Sequence, residues 1–513
     1  MKGFADRSVL ARNTVWSVVG YAVQFLTPVL LTPFVVSSVG ADQYGRVWVT
    51  LFTLASWLGY FDLGLWGSLT RDVAERRTKG DQEGLRTLWA TWWTYDLVLG
   101  GLVTAATALA APHIVRYFAP LADASFVPLF VGLAVQAATG PVLRHLSCTL
   151  TGLQRLDLFN LMAITVTPLW AAGQVLALVR GFGLWGLMIN GLLFSGLQVA
   201  VLLFLIGRQG HPIGFSPARF SWAECRRLLS FGWKVQATLG LNQAFRNDRL
   251  VMGRHYAEGT MIASYQFGAN IVNYLAGAIG VLSSGVLPAV SDLATRGDLE
   301  RIGVVFSRGT KYHALAAFGL IGFAALFARE LLVFWMGRPL PDSVVVLRIM
   351  AVGAAATAIG SCGQSVAVAL GRPGWTTLTG ALGLGATVIL YMTVGRRYDY
   401  VGLAASVSAG LALIQIIFMS GLHGFLEFRW REYVGNALIK PAVLAVPLAG
   451  VYAAWGAAAP HLPAVDTRGR AFLVLAPAFL LTAVLGWAVA RLFRVVDDVD
   501  LEVLKSSRRR SSS

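Results

Sequence analysis

The sequence predicts an all-α, polytopic membrane protein with about fourteen transmembrane helices. Hydrophobic residues make up 56% of the 513 residues and charged residues only 13%, whereas soluble domains carry about 25% charged residues. The mean hydropathy is +0.63. Apolar stretches of about 20 residues, the length that crosses a bilayer, recur along the chain, so the packed helices themselves form the core.

These apolar stretches follow one another with polar loops between them. The predicted spans are 13–38, 44–69, 89–112, 126–150, 159–179, 184–207, 231–256, 261–290, 311–336, 344–370, 377–394, 402–422, 436–456 and 470–490. With this count, the basic segments 1–12, 70–88, 208–230, 291–310, 423–435 and 491–513 fall on one side. That side holds roughly three times as many Lys and Arg as the other, which makes it cytoplasmic.

Both termini are therefore predicted to be cytoplasmic. The net charge of +16 follows from this topology more simply than from binding to nucleic acid, and no nucleic-acid partner is expected. The three cysteines are widely scattered, so they indicate neither a disulfide framework nor a zinc site.

An internal repeat divides the helices into two sets. Thr78–Asp81 (TKGD) recurs 217 residues later as Thr295–Asp298 (TRGD). Weaker matches at nearly the same offset pair Gly152 with Gly371 and Gly186-Leu187 with Gly402-Leu403. Because six helices per set is an even number, both copies have the same orientation, and we expect two pseudo-symmetric lobes with a cavity between them. The predicted domains are an N-terminal lobe 1–225, a C-terminal lobe 226–430, two further helices in 431–491 and a cytoplasmic tail 492–513.

The seventh span, 231–256, is the most polar of the fourteen. On a helical wheel its charged residues fall on one broad arc together with Asn242; they are Lys234, Arg246, Asp248 and Arg249. Charges at membrane depth are costly and survive mainly where they face a cavity or a partner. Three bases facing one acid favour binding of an anion such as a phosphate or diphosphate, for which Arg forks are suited. The alternative is that Asp248 neutralises one Arg and the set only holds the lobes together.

Two amides of this span, Asn242 and Gln243, are predicted to line the cavity. A second polar group lies nearer the cytoplasm and comprises Asp62, Asp96 and the pair Arg144-His145. This group, with Asp248, is a candidate gate or ion-coupling site. A static ion pair within one lobe is the alternative.

Enzyme motifs are absent from the sequence. It contains no GxxxxGK[ST] phosphate loop, GxSxG, HExxH or CxxC, and the outer loops are too short to build a catalytic site. We therefore expect no catalytic residues, no metal and no cofactor. A coupling proton, sodium ion or the membrane potential stays open as the energy source.

Short motifs along the chain resemble those of a known transporter family. They are Asn13, Trp16 and Gly20 in the first span, Gly40, Tyr44-Gly45, Asp62–Leu65, Arg71 and Ala74 around the second, and Asn247–Leu250, Tyr265, Leu287-Pro288 and Ser291 in the second set. In their order the chain resembles polysaccharide transporter (Wzx-type) flippases of the multidrug/oligosaccharidyl-lipid/polysaccharide exporter (MOP) superfamily. The resemblance covers essentially the whole chain.

The resemblance implies a monomeric flippase of the bacterial inner membrane. It would move an undecaprenyl-diphosphate-linked oligosaccharide from the cytoplasmic to the outer leaflet by alternating access, for O-antigen, capsule or exopolysaccharide assembly. The resemblance also implies diphosphate-binding residues at Arg246 and Arg249, with Lys234 and Arg144 as further candidates. Membrane lipids, a polysaccharide polymerase and chain-length proteins are the implied partners. A lipid II flippase and a multidrug or cation exporter of the same superfamily are the alternatives, and a membrane enzyme of glycan assembly is a remote one.

Overall fold

The computed structural model describes residues 7–64, 66–120, 123–210, 216–255, 258–426 and 430–495. Within them the chain forms helices and turns, without a β-strand. It divides into two compact units, Met1–Ala263 and Ser264–Ser513. The predicted C-terminal lobe starts with the span 231–256, the first helix of the second set. By contacts, this span belongs to the first unit. The lobe boundaries stay a prediction, and the tail beyond residue 495 lies outside the described residues.

The helices of the first unit follow the predicted spans, with several breaks. They are α1 (Arg7–Val39), α2 (Ala41–Gln43), α3 (Thr50–Ser56), α4 (Trp66–Lys79), α5 (Gln82–Phe118), α6 (Val127–Gly152), α7 (Leu156–Val179), α8 (Gly183–Gly207), α9 (Trp222–Ala244) and α10 (Asp248–His255). A π-helical turn, Tyr44–Val49, joins α2 to α3, and a 3₁₀ turn, Trp57–Tyr60, follows α3. The second span of the first set is therefore a broken helix.

The helices of the second unit repeat this arrangement and add two. They are α11 (Gly259–Gly280), which begins in the first unit, α12 (Val286–Thr295), α13 (Leu299–Ala316), α14 (Gly322–Leu326), α15 (Ala328–Met336), α16 (Pro341–Ala369), α17 (Pro373–Thr393), α18 (Asp399–Leu426), α19 (Trp430–Tyr433), α20 (Lys440–Ala442), α21 (Ala445–Ala458) and α22 (Arg468–Leu492). A 3₁₀ turn, Val281–Gly285, separates α11 from α12. The second span is thus broken in both sets.

Among the described residues, nine helices are long and apolar enough to cross a membrane, or ten if the bent pair Leu299–Leu326 and Ala328–Met336 forms one span. The chain is thus a multi-pass membrane protein. The predicted count of fourteen is not confirmed, because the first two spans of each set are not among these described helices. Within the described side chains of α1 the apolar helix is Leu26–Val39, and the other three spans are broken or polar.

The repeated TKGD and TRGD motifs form the same turn in both units. Gly80 and Gly297 each have φ of +70°, a left-handed conformation that glycine adopts without a steric penalty. The carboxylates of Asp81 and Asp298 accept backbone N–H groups at the starts of α5 and α13, which is an N-cap. Identical local chemistry 217 residues apart supports the duplication.

A second match in the repeat needs correction. Gly371 has φ of +72° after α16, but the left-handed position after α6 is Gln154, with φ of +57°, rather than Gly152. The next residues, Arg155 and Arg372, donate to the carbonyls of Leu150 and Ala367 respectively. The structural offset is therefore again 217. The sequence match to Gly152 was wrong because a non-glycine residue occupies the turn in the first copy.

The first unit has an apolar core between α4, α5, α6, α7 and α8, built around Trp89, Trp92, Leu146 and Leu150. At one end of this core, an ionic network ties α4 to α9. Arg227 bonds to Glu224 at 2.8 Å and to Asp72 at 3.1 Å, and Arg76 bonds to Glu224 at 2.5 Å. Hydrogen bonds to Glu224 and Asp72 raise the pKa of the Arg227 guanidinium, so Arg227 keeps its charge at neutral pH.

Candidate functional site

The polar span 231–256 is two helices rather than one. α9 ends at Ala244, a 3₁₀ turn occupies Phe245–Asn247, and α10 begins at Asp248. A wheel with 100° per residue does not carry across a 3₁₀ turn, which has three residues per turn. The single arc of charges was drawn for an unbroken helix. It therefore does not fix where Asp248 and Arg249 lie relative to the residues of α9.

The side chains of Lys234, Asn242 and Arg246 lie outside the described part of the chain. Their assignment to the diphosphate site and the cavity stays a prediction from the sequence. The described members of the set are Gln243, Asp248 and Arg249.

The amides of this segment bind the broken second helix of the same unit. Gln243 is buried; its Nε2 donates to Ser56 Oγ at 2.6 Å, and its Oε1 accepts from the Tyr60 hydroxyl at 3.4 Å. The indole N–H of Trp57 donates to Asn247 Oδ1 at 2.9 Å. Because both amide atoms of Gln243 are engaged, its contribution here is to join α9 to the turn after α3.

Two glycines let the same helices approach more closely still. Gly64 has φ of +79°, and a Cβ at this position would overlap the carbonyl oxygen of Gly232 in α9. A Cβ on Gly232 would overlap the Gly64 carbonyl in turn. One turn further along, Gln236 Nε2 donates to the carbonyl of Tyr60. Backbone thus meets backbone at this point, which only glycine permits.

Asp248 and Arg249 begin α10 and are both buried, with 7% and 8% of their surface exposed. The Asp248 carboxylate accepts the backbone N–H of Arg249 at 2.8 Å, and an acid at the first turn also suits the helix dipole. Arg254, one turn later, is exposed and stacks over the Tyr117 ring at 4.8 Å. Of the two arginines described in α10, Arg249 is therefore the one held inside the protein, where the field of a cation is strongest.

Asp62 and Arg144 form a buried ion pair in the first unit. Arg144 bonds to Asp62 Oδ2 and to the carbonyl of Gly59, both at 2.9 Å. The rings of Tyr60 and Trp66 each lie 5.8 Å from the guanidinium carbon, within cation–π range. The Asp62 side chain is fully buried, whereas the Arg144 side chain keeps 27% exposure. Arg144 is thus fixed on one side and accessible on the other.

Asp96 and His145 form a second pair next to the first. His145 Nδ1 lies 2.5 Å from Asp96 Oδ2, and both side chains are at most 1% exposed. Arg144 and His145 are consecutive on α6, so they point about 100° apart and meet acids from different elements. The structure brings together the four residues that the sequence singled out near the cytoplasm. Both pairs lie within one unit, which is the arrangement given as the static alternative, and their role in gating stays a prediction.

Removing one partner of the Asp62–Arg144 pair is expected to destabilise the protein strongly. Breaking a buried pair costs about 3–5 kcal/mol because it leaves an uncompensated charge, and the partial exposure of Arg144 places Asp62→Asn at the lower end. The double variant Asp62→Asn/Arg144→Gln is expected to recover most of the loss. Thermal unfolding in detergent measures both, with Glu75→Gln as the control because Glu75 pairs with Lys79 on the surface. An Asp62→Asn protein as stable as the Glu75→Gln protein would contradict this account.

Sequence reasoning missed the partners that hold this region together, namely Ser56, Trp57, Tyr60 and Gly232. They are ordinary membrane-helix residues, and only the positive φ of Gly64 had a local signal, the glycine itself. No group of three or more His, Cys, Asp or Glu residues in the described ranges is placed to hold a metal ion. Cys148, Cys225 and Cys362 are free thiols.

Comparison with known proteins bears on both the fold and the family. A family model described as "polysaccharide biosynthesis protein" matches residues 79–345, just over half of the chain. A protein of Shigella flexneri, provisionally named an O-antigen transporter, is 22% identical over 409 residues, which cover 79% of this chain and 95% of that protein.

Solved structures of MOP transporters share the fold. The lipid II flippase MurJ in an inward closed conformation matches with a TM-score of 0.65 at 12% identity, covering 93% of this chain and 99% of that one. An inward-facing multidrug transporter of the MATE family matches with a TM-score of 0.62 at 14% identity, covering 83% and 96%. The predicted all-α MOP fold is confirmed. These relatives are transporters and flippases rather than enzymes.

Proposed function

Because this chain belongs to the polysaccharide biosynthesis protein family, we propose that it is a flippase for an undecaprenyl-diphosphate-linked oligosaccharide. It moves this lipid from the cytoplasmic to the periplasmic leaflet of the bacterial inner membrane by alternating access of its two lobes. The product feeds the assembly of a surface polysaccharide by a polymerase and chain-length proteins. The protein acts as a monomer with both termini in the cytoplasm.

The buried arginine of α10 carries the chemical part of this proposal. The substrate head group is a diphosphate, and the guanidinium fork matches phosphate oxygens in a bidentate way. Arg249 is buried at the start of α10, where the low dielectric strengthens its attraction for an anion. Arg246 and Lys234, in the same span of the sequence, add positive charge, and their net excess over Asp248 favours an anionic cargo over a cationic drug.

Arg144 is the second described arginine that suits a phosphate. Its bonds to Asp62 and Gly59, together with the rings of Tyr60 and Trp66, fix the guanidinium in one orientation. A pre-organised cation loses little side-chain entropy when it binds. Asp62 offsets part of its charge, so we assign Arg144 a supporting role behind Arg249.

The glycan head group separates this proposal from that of a lipid II flippase, because both lipids carry the same diphosphate. The Shigella flexneri relative, named for O-antigen transport, supports an oligosaccharide. The structural likeness to the lipid II flippase reports only the shared fold, since the identity is 12%.

Native mass spectrometry of the purified protein tests the function directly. We expect a bound polyprenyl-diphosphate lipid whose extra mass is that of an oligosaccharide, and we expect its occupancy to fall at least about 10-fold in Arg249→Gln, as loss of one charged hydrogen bond predicts. The exposed Arg254→Gln is the matched control and should retain the lipid. A bound lipid carrying the lipid II head group would favour that alternative. Phospholipid alone, in every preparation, would contradict the proposal.

A further inference from the structure

The Asp96–His145 pair is a buried titratable site that diphosphate binding does not use. It lies between α5 and α6 in the apolar core of the first unit, where the Trp92 ring centroid is 5.1 Å from that of His145. Water does not reach either side chain in this conformation, since both are at most 1% exposed. Ionisable groups inside a membrane protein are costly and mark functional sites by default.

Each member of the pair keeps one polar atom unsatisfied. Asp96 Oδ1 and His145 Nε2 are both buried and have no hydrogen-bond partner among the described residues. If the imidazole is neutral with its proton on Nδ1, Nε2 is an acceptor that lacks a donor. If the imidazole is protonated, Nε2 becomes a donor that lacks an acceptor. Neither protonation state satisfies every atom, so this conformation does not lock the pair in one of them.

Proton binding to this pair changes the net charge of a buried cluster of ionisable groups. The charged groups that interact with Asp96 are His145, Asp62 and Arg144. Tyr95 adjoins Asp96 on α5 and interacts with Asp62 and Cys225, and Cys148 interacts with Arg144 and Asp62. With a proton on His145, the two acids and two bases sum to zero. Without it, one negative charge stays in an apolar core, which is expensive.

The second unit provides an internal comparison. His313 lies 16 residues after Gly297, as Asp96 lies 16 residues after Gly80, so the two occupy the same position on the third helix of each set. His313 is also buried. Its Nδ1–H donates to the carbonyl of Gly309 at 2.7 Å, and its Nε2 accepts from the Ser283 hydroxyl at 2.8 Å. Both nitrogens are satisfied in the neutral form, and no acid bonds to this histidine in the described structure.

We propose that the Asp96–His145 pair binds the proton whose movement drives the transport cycle. This inference rests on the proposed flippase function and names the residues that would bind a coupling proton. The proton binds the imidazole of His145 and makes an imidazolium paired with Asp96, next to the fixed Asp62–Arg144 pair. It leaves when a change of conformation brings water to Nε2, because hydration then stabilises the uncompensated carboxylate. An imidazole nitrogen suits a proton, whereas hard cations prefer oxygen ligands.

Proton binding can be measured without any lipid substrate. The full-length protein in detergent, labelled with ¹³C-histidine, gives signals for seven histidines, and His145→Asn identifies the one that belongs to His145. We expect the wild-type signal to move with pH as the imidazole gains its proton, and Asp96→Asn to displace or abolish that movement. His313→Asn is the control and should leave it unchanged. A His145 signal that does not move, or moves identically in Asp96→Asn, overturns the proposal.

Coupling is tested in proteoliposomes with undecaprenyl diphosphate carrying one fluorescent sugar as the probe. An imposed proton gradient should speed movement of the probe in the wild type and in His313→Asn, and should have no effect in Asp96→Asn or His145→Asn. Size-exclusion profiles establish that each variant folds. If Asp96→Asn does not fold, His145→Asn alone provides the test. Gradient-dependent movement in both variants overturns the coupling. A His145 titration with no movement of any lipid supports the proton site and contradicts the flippase function instead.

Discussion

Replacing Arg249 with alanine is expected to abolish glycan export while the protein still folds. A hydrogen bond to a charged group contributes about 1.5–3 kcal/mol, so loss of a two-bond fork weakens diphosphate binding roughly 10²–10⁴-fold. Arg249→Lys keeps the charge without the fork and should retain an intermediate activity. Export is measured as surface polysaccharide in cells that depend on this chain, alongside membrane levels of each variant.

The matched control for this prediction lies on the same helix. Arg254 is exposed and stacks on Tyr117, so Arg254→Ala should export normally. Arg246→Ala is expected to reduce export as well, and the double variant with Arg249→Ala should export no more than Arg249→Ala alone. Normal export in both single variants and in the double variant would refute the anion site. If the Arg249→Ala protein is absent from the membrane, Arg249 has a structural role in the folded protein instead.

Replacing Gly64 with alanine is expected to have the largest effect on folding. The residue has φ of +79°, which costs a non-glycine residue about 1–2 kcal/mol. Its new Cβ would also overlap the carbonyl oxygen of Gly232, and overpacking adds about 1–3 kcal/mol. Because both sides of the contact are backbone, no side chain can rotate away, and we expect α9 to separate from the turn at Gly64.

Gly80→Ala separates the conformational strain from the steric overlap in the destabilisation expected for Gly64→Ala. Gly80 has φ of +70°, and a Cβ there would meet nothing within 4 Å, so only the conformational strain applies. Thermal unfolding should therefore rank the proteins as wild type, Gly80→Ala and Gly64→Ala, from most to least stable. Gly232→Ala should be destabilised less than Gly64→Ala, because it overlaps the same contact from α9 without the φ strain. Equal stability of Gly64→Ala and Gly80→Ala would show that the two backbones do not meet in the protein.

The contact at Gly64 also bears on how the arginine of α10 is held. Gln243, Asn247 and the glycine pair fasten the segment that leads into α10 to the broken helix of the first unit. Asp62, which pairs with Arg144, is two residues before Gly64 and accepts its N–H at 3.2 Å. Arg144 and the segment that leads to Arg249 thus both contact residues 56–64, so a distortion there should impair both candidate phosphate ligands.

Features that depend on composition and local pattern were predictable from the sequence. The membrane class follows from 56% hydrophobic and 13% charged residues, and the fold of transporter relatives confirms it. The duplication was visible in TKGD and TRGD because an αL glycine and an N-capping aspartate are local requirements of one turn. The exception, Gln154 in place of glycine, was invisible because glutamine carries no sequence signal for a left-handed conformation.

The breaks in the helices were not predictable in the same way. The segments 57–60 and 245–247 contain no proline, and hydropathy is as compatible with a continuous helix as with a 3₁₀ turn. They are broken where side chains and backbone of two helices meet, as at Trp57 and Asn247. Hydropathy, which predicted fourteen uninterrupted spans, therefore could not reveal these breaks.

The sequence by itself determined that this protein lies in a membrane, that its helices are duplicated, and which polar residues are too costly to be there by chance. These properties depend on transfer free energies and turn chemistry, which act over a few residues. Only the tertiary structure decided the partners, since Asp62 meets Arg144 across 82 residues of chain and Asp96 meets His145 across 49. Such pairs arise from the packing of helices, and a buried charge with its partner looks the same in a sequence as one without.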